Sequence, residues 1–215
     1  MIKQNCNLIF LGAPGVGKGT VASIIANLTD LEHVSTGNIF RNEIKNKTEL
    51  GLKVQEIVTT GGYVPDEITN RIVKNKIDET IKANTKIILD GFPRTIDQAK
   101  FLETIENFDY KVVELYAPES VILERLSGRR TCSKCSTGYH VKFKPSSKGD
   151  KCENCGGDLE QRKDDQPSSI IKRLEIYNEQ TNPLIDYFKN ANRLIVVEAI
   201  DAPENVADSV LKKIK

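Results

Sequence analysis

The stretch Gly12-Ala13-Pro14-Gly15-Val16-Gly17-Lys18 limits what this chain can fold into more than any other. It matches G-x-x-x-x-G-K and lies between a short apolar run, residues 7–11, and a helix-compatible stretch, residues 16–28, with apolar positions at Val21, Ile24, Ile25 and Leu28. In that setting of strand, glycine loop and helix, successive backbone N–H groups converge on phosphate oxygens. The helix N-terminus adds its partial positive charge. Lys18 then bridges the β- and γ-phosphates as a point charge. The residue after Lys18 is Gly19 and the hydroxyl comes one position late, at Thr20, so a metal ion is held less directly than in the usual pattern. The competing reading is a glycine-rich turn without ligand, against which strand, loop, lysine and helix weigh together.

Apolar runs of strand length recur at residues 86–90, 111–116 and 194–198. Strands alternating with helical stretches predict a parallel sheet with helices on both faces. Thr95 with Gln98 three residues later predicts a capping box opening a helix that runs through Ile105. Two stretches interrupt the alternation. Residues 35–64 read as all-helical and end in Gly61-Gly62, and residues 127–164 are rich in Cys, Gly, Lys and Ser without helical periodicity. Both read as insertions on one α/β core. Pro167 opens a long helix to about Lys189, with a kink expected at Pro183.

Asp90, ending the run KIILD, is the natural carboxylate to hold Mg²⁺ directly or through water, although a strand-terminal Asp is often only a turn former. There are nine arginines: 41, 71, 94, 125, 129, 130, 162, 173 and 193. Several gather at segment junctions, as a site clamping several phosphates requires, whereas any one alone reads as a surface ion pair. Phosphoryl transfer asks for positioning and charge neutralisation, and the sequence offers no Ser/His/Asp or Cys/His constellation. His33 and His140 are read as ordinary polar or packing residues. Cys132-x2-Cys135 and Cys152-x2-Cys155 have the spacing of two knuckles around a closed, structural Zn²⁺ site, with a pair of disulfides as the rival. Residues 129–163 carry nine basic against four acidic side chains, either a flap closing over a triphosphate or a solvated face. Cys6 is read as a packing residue.

With 31 Lys+Arg against 30 Asp+Glu, the chain has no basic tail for nucleic acid or a membrane surface. No apolar run approaches the ~20 residues of a bilayer span, and the N-terminus has no signal-peptide pattern. The clustering of four of the five cysteines within 24 residues points to a local site in a reducing compartment.

Taken together, GAPGVGKGT at 12–20, STGNIFR at 35–41, DGFPRT at 90–95, GRR at 128–130, the four cysteines and QRKDD at 161–165 closely resemble the adenylate kinase family in its long form with a zinc-bearing lid. The resemblance runs the whole length in order. It implies an α/β P-loop three-layer sandwich with a central parallel five-stranded sheet. The core would comprise residues 1–34, 65–126 and 165–215, with an NMP-binding segment at 35–64 and a zinc-binding lid at 127–164. It further implies ATP + AMP ⇌ 2 ADP on a Mg²⁺-dependent cytoplasmic monomer with structural Zn²⁺, binding ATP, AMP and ADP and neither nucleic acid nor membrane. Carried over by motif, Gly15, Val16, Gly17, Lys18, Gly19 and Thr20 hold the ATP phosphates. Arg129, Gly138 and Tyr139 contact ATP, Arg125 lies against its adenine, and a backbone contact to that adenine falls at Asp201. Thr36, Arg41, Gly62, Tyr63, Val64, Gly91, Phe92, Pro93, Arg94 and Gln98 contact AMP, Gln98 reading the adenine edge. Arg162 and Arg173 clamp phosphates of both nucleotides. Lys18, Asp90, Arg94, Arg129, Arg162 and Arg173 form the catalytic set, Cys132, Cys135, Cys152 and Cys155 the metal set, and hinges are expected near Ser127-Gly128 and Asp164-Asp165. Two positions depart from the family pattern: Asn38 where Asp is usual, and Ala199 where Gly is common. The rival readings are a related kinase with another pair (GTP to AMP, or UMP/CMP as acceptor) and a zinc-ribbon P-loop ATPase that binds nucleic acid.

Overall fold

A computed structural model of the chain describes residues 2–214. Strand β1 (Asn7–Leu11) is buried at all five positions because it runs mid-sheet with helices on both faces. Around it, β2 (Leu31–Ser35), β3 (Lys86–Asp90), β4 (Tyr110–Tyr116) and the last long strand (Leu194–Glu198) form a five-stranded sheet. Its order is β2-β3-β1-β4 and then the last strand, every pair parallel.

Successive side chains of a strand point to opposite faces, and the two faces hold separate cores. Leu8 and Phe10 pack with α1 (Lys18–Leu28), α6 (Glu119–Gly128) and the C-terminal helix (Pro203–Lys213). Ile9 and Leu11 pack with α4 (Asp66–Lys82), α5 (Ile96–Glu103) and α8 (Pro183–Asn190) through Ile77, Leu102 and Phe188. These two cores make the three-layer α/β sandwich that the sequence implies.

Strand β2 has no counterpart among the apolar runs read from sequence. Only Leu31 and Val34 of its five residues are buried, since it is the edge strand and its other side chains face outward or toward the site. Residues 35–64 form α2 (Thr36–Lys45) and α3 (Glu49–Thr59), capped by Ser35 and Thr48, over a small core of Phe40, Val54 and Val64. Residues 127–164 carry β5 (Arg129–Cys132), β6 (Gly138–His140) and β7 (Leu159–Glu160), an antiparallel sheet in the order β6-β5-β7. Following them, the last long strand is β8 and the C-terminal helix α9.

Helix α7 (Pro167–Ile176) does not run unbroken to Lys189. A π-helical turn, Tyr177–Thr181, separates it from α8. Pro183 has no N–H to continue the α-helical ladder, and the Asn182 N–H bonds the Tyr177 carbonyl five residues back at 2.8 Å. The capping box at α5 is half present. Thr95 Oγ1 accepts from Gln98 N at 3.1 Å, but the Gln98 side chain accepts from Arg94 N, one residue before the N-cap.

Candidate active site

The glycine loop joins β1 to α1. Gly12 and Gly17 have φ of +136° and +112°, backbone that side chains rarely tolerate, and a Cβ at Gly12 would collide with the Leu115 carbonyl. Lys18 Nζ donates to the carbonyls of Gly12 (2.6 Å) and Ala13 (3.0 Å), which fixes the ammonium inside the loop. Burial lowers the Lys18 pKa to about 8; Asp90 opposes this, while Arg94, Arg173 and Arg129 add to it. An anion among these cations restores the charged form.

Asp90 ends β3 beside that loop. Its Oδ2 lies 3.5 Å from His33 Nε2, and a Cβ placed on Gly19 would sit 3.4 Å from the same oxygen. The carboxylate therefore lies within van der Waals reach of the loop at Gly19. Burial alone would raise the Asp90 pKa, but the neighbouring His33 and Lys18 more than offset it, and the group stays ionised below its ordinary range. His33 Nδ1 is 3.2 Å from Ser23 Oγ, so the histidine read as ordinary bridges α1 and Asp90.

Five arginines converge from separate elements. Arg129 grips Asp165 in bidentate fashion through Nε (2.7 Å) and Nη2. Arg173 Nη1 lies 2.9 Å from Asp165 and 3.0 Å from an Asp164 carboxylate oxygen. Arg162 Nε donates to Thr131 Oγ1 at 3.0 Å. Arg41 Nη2 donates to Asn38 Oδ1 at 2.6 Å, while its buried Nε has no partner among the described residues. Arg94 Nε donates to the Gly91 carbonyl at 2.8 Å and its guanidinium lies 4.8 Å from the centre of the Tyr63 ring. Burial depresses Arg41 to about 10 and Arg162 well below its usual range, with the neighbouring arginines adding to the effect. Burial would raise Asp164, but Arg173 and Arg162 pull it down. With Lys18, six cations face Asp90, Asp164 and Asp165, an excess of positive charge suited to several phosphates.

Beside these arginines lies a cavity whose walls include Thr36, Arg41, Gly62, Tyr63, Val64, Gly91, Arg94, Gln98 and Arg173. Thr36 Oγ1 donates to the Gly91 carbonyl at 2.9 Å and joins α2 to the loop after β3. Among the residues carried over for AMP, Phe92 has its side chain wholly in the sheet core and, with Pro93, lies outside the cavity wall. Arg125 Nη1 donates to the carbonyls of Val16 (2.8 Å) and Ala199 (2.6 Å) and ties the glycine loop to the segment after β8. The exposed Asp201 spends its side chain on Ala202 N and Asn205 Nδ2, leaving its backbone for any ligand contact. Gly138 is exposed, whereas Tyr139 is buried against the cysteines, its hydroxyl 3.3 Å from Cys152 Sγ and accepting from Glu153 N.

The four cysteine sulfurs lie within 4.8 Å of one another. A tetrahedral ion with metal–sulfur bonds of ~2.3 Å needs sulfurs ~3.8 Å apart, so the cluster fits Zn²⁺. The disulfide rival fails, because the cysteines are free and sulfur separations such as 3.4 Å for Cys132–Cys155 far exceed a bond of ~2.05 Å. Hydrogen bonding, first from Tyr139, lowers Cys152 to about 6. The Gly157 N–H favours the Cys155 thiolate, but the adjoining cysteines raise it to about 11.

Sequence reasoning read His33 as ordinary, did not single out Ser23 or Thr181, whose Oγ1 lies 2.8 Å from the Tyr63 hydroxyl and donates to the Arg94 carbonyl, and took Asp164 and Asp165 only as hinges. The pair of acids directly after Arg162-Lys163 in QRKDD was the available signal for the last two.

The family model for adenylate kinase matches residues 10–193. The chain is 53% identical over 211 residues to an adenylate kinase of Mycoplasma mobile, covering 97% of each protein. It is 49% identical over 215 residues to that of Mycoplasmopsis pulmonis, covering 100% of this chain and 99% of the relative. It is 44% identical over 213 residues to that of Caldicellulosiruptor saccharolyticus, covering 97% of each. The glycine loop, the arginine cluster and these matches place the chain in the adenylate kinase family.

Proposed function

We propose the following division of labour for the reaction of an adenylate kinase, ATP + AMP ⇌ 2 ADP. An oxygen of the AMP phosphate attacks the γ-phosphorus of ATP. The bond from that phosphorus to the β,γ-bridging oxygen breaks, and the electron pair leaves on ADP. No side chain forms a covalent bond, so catalysis rests on alignment and charge. Residues 15–20 and Lys18 hold the donor phosphates. Arg41 and Arg94 orient the acceptor phosphate, and Arg129, Arg162 and Arg173 close on the phosphoryl group in flight. Arg125 and the backbone near Asp201 border the donor base, with the backbone of Gly138 and Tyr139 above it. Thr36, residues 62–64 and Gln98 receive AMP.

Asp90, ionised and beside the loop, fits a hard cation such as Mg²⁺. Bound with ATP, the ion neutralises β- and γ-phosphate charge. Cys132, Cys135, Cys152 and Cys155 hold a structural Zn²⁺ that replaces a core in a segment whose buried apolar cluster is only Cys132, Tyr139 and Cys152. Residues 35–64 and 127–164 act as closing segments over residues 1–34, 65–126 and 165–215. Lys45 Nζ already donates to the Lys134 carbonyl at 3.1 Å, joining the two. Such closure keeps water from competing with AMP as acceptor. The enzyme works as a cytoplasmic monomer without nucleic-acid or membrane partners. No helix among the described residues is long and apolar enough to cross a membrane.

The observation that carries this reading is the convergence of Arg41, Arg94, Arg129, Arg162 and Arg173 with Lys18. Its test is ADP formation with ATP plus AMP against ATP alone, with GTP as donor and UMP or CMP as acceptor for comparison. Turnover that needs both ATP and AMP supports it. Equal hydrolysis of ATP alone refutes the two-nucleotide site, and preference for another pair refutes the base assignment. Absence of nucleic-acid binding at low salt disposes of the zinc-ribbon alternative.

A further inference from the structure

Gln98 is 1% exposed, yet it forms part of the cavity wall. Its side-chain amide is held from two sides by partners of opposite character. The Arg94 backbone N–H donates to Oε1 at 2.7 Å, and Nε2 donates to Asp66 Oδ1 at 2.6 Å. A backbone N–H can only donate and a carboxylate can only accept, so the amide cannot turn over without facing donor against donor and acceptor against acceptor. Asp66 itself is held, because its second oxygen accepts from Thr95 Oγ1 at 2.8 Å. Asp66, the first residue of α4, lies outside the cavity wall and has no part in the division of labour above.

An amide has two N–H groups and two oxygen lone pairs. One of each is spent, leaving one donor beside one acceptor in a fixed order. The edge of a 6-aminopurine offers the complement, an amino donor at position 6 and a bare ring nitrogen at position 1. A 6-oxopurine reverses both, with a carbonyl at position 6 and N–H at position 1. We propose that Asp66 is a specificity-determining positioning residue: with the Arg94 N–H it locks the Gln98 amide in the one orientation that accepts a 6-aminopurine nucleotide and rejects a 6-oxopurine nucleotide. This rests on the placement of the acceptor base against Gln98. Fixed polar groups left facing their own kind produce strong discrimination, whereas an amide free to turn adapts to either edge.

The test is the ratio of kcat/KM for AMP to that for IMP, which differs from AMP only along this edge, with ATP as donor. The wild-type ratio is expected to be about 100 or more. Asp66→Asn, which can both donate and accept, lowers the ratio about tenfold, mainly through tighter use of IMP. General damage to the fold lowers both activities and does not move the ratio in this way. Thr95→Val, which frees the second oxygen of Asp66, gives a smaller fall of about threefold and serves if Asp66→Asn does not fold. Gln98→Ala separates the two levels of the argument. If it abolishes discrimination while Asp66→Asn and Thr95→Val leave the ratio within twofold of wild type, the lock is refuted and the base placement stands. If Gln98→Ala leaves the ratio unchanged, the base is not read at Gln98 and the placement itself is refuted.

Discussion

Asp165 is fully buried and takes two hydrogen bonds from Arg129 and one from Arg173. Asp165→Asn keeps the volume and removes the charge. Arg173 retains Asp164 at 3.0 Å, whereas Arg129 retains no carboxylate. Breaking a buried ion pair costs about 3–5 kcal/mol when one partner is left uncompensated. Arg129 is 21% exposed along its side chain, so water recovers part of this and the lower end, about 3 kcal/mol, applies. For a chain of this size that is a fall in Tm of about 6–12 °C, read by calorimetry or by circular dichroism. A second consequence has the opposite sign. If Arg129 takes a nucleotide phosphate as proposed, that phosphate competes with Asp165 for it in the wild type and not in the variant. A saturating two-nucleotide analogue should therefore raise the variant's Tm by more than it raises the wild type's, narrowing the gap. A loss below about 1 kcal/mol would refute the claim that Asp165 offsets a buried charge, and an equal rise in both proteins would refute the competition.

Three further outcomes are expected. Arg94→Ala should lower kcat at least about 100-fold with an unchanged far-ultraviolet spectrum, and an unaltered kcat would remove Arg94 from the catalytic set. Lys18 sits at about pKa 8 in place of 10.5, so kcat/KM for ATP should hold below pH 8 and fall tenfold per unit above it. Stability should instead rise between those two values, because the unfolded chain binds the proton more tightly there; a flat profile from pH 7 to 10 would contradict the assignment. Stripping zinc with a chelator should lower Tm and restoring zinc should recover it, with Cys132→Ser insensitive to both, whereas a Tm indifferent to chelation would argue against a metal in the cluster.

The central sheet was legible wherever burial on both faces wrote itself into a continuous apolar run, as at Asn7–Leu11 and Lys86–Asp90. The edge strand Leu31–Ser35 was not, because a strand covered on part of one face has too few apolar residues to stand out. The glycine loop and the two Cys-x2-Cys pairs are short-range patterns, one within seven residues and the other within 24. The pairing of Arg129 with Asp165 spans 36 positions, and that of Gln98 with Asp66 spans 32, so no short-range pattern encodes them. Tyr139 shows the limit of motif reasoning in a different way. Its place in the motif suggests a nucleotide contact, while its ring is claimed by the need of the small cysteine-bearing sheet for a buried apolar side chain.

Arg125 reaches across 109 positions to the Val16 carbonyl and across 74 to that of Ala199. The glycine loop is encoded far upstream of β8, but one of its braces exists only once β8 has paired with β4 and carried Ala199 into place. On the ribosome, a nascent chain that has emerged only as far as β4 holds the whole glycine motif with no anchor at Ala199. The braced geometry therefore arrives only after β8 has been made and docked, and the stabilising pull of a bound nucleotide on the braced loop begins from that point.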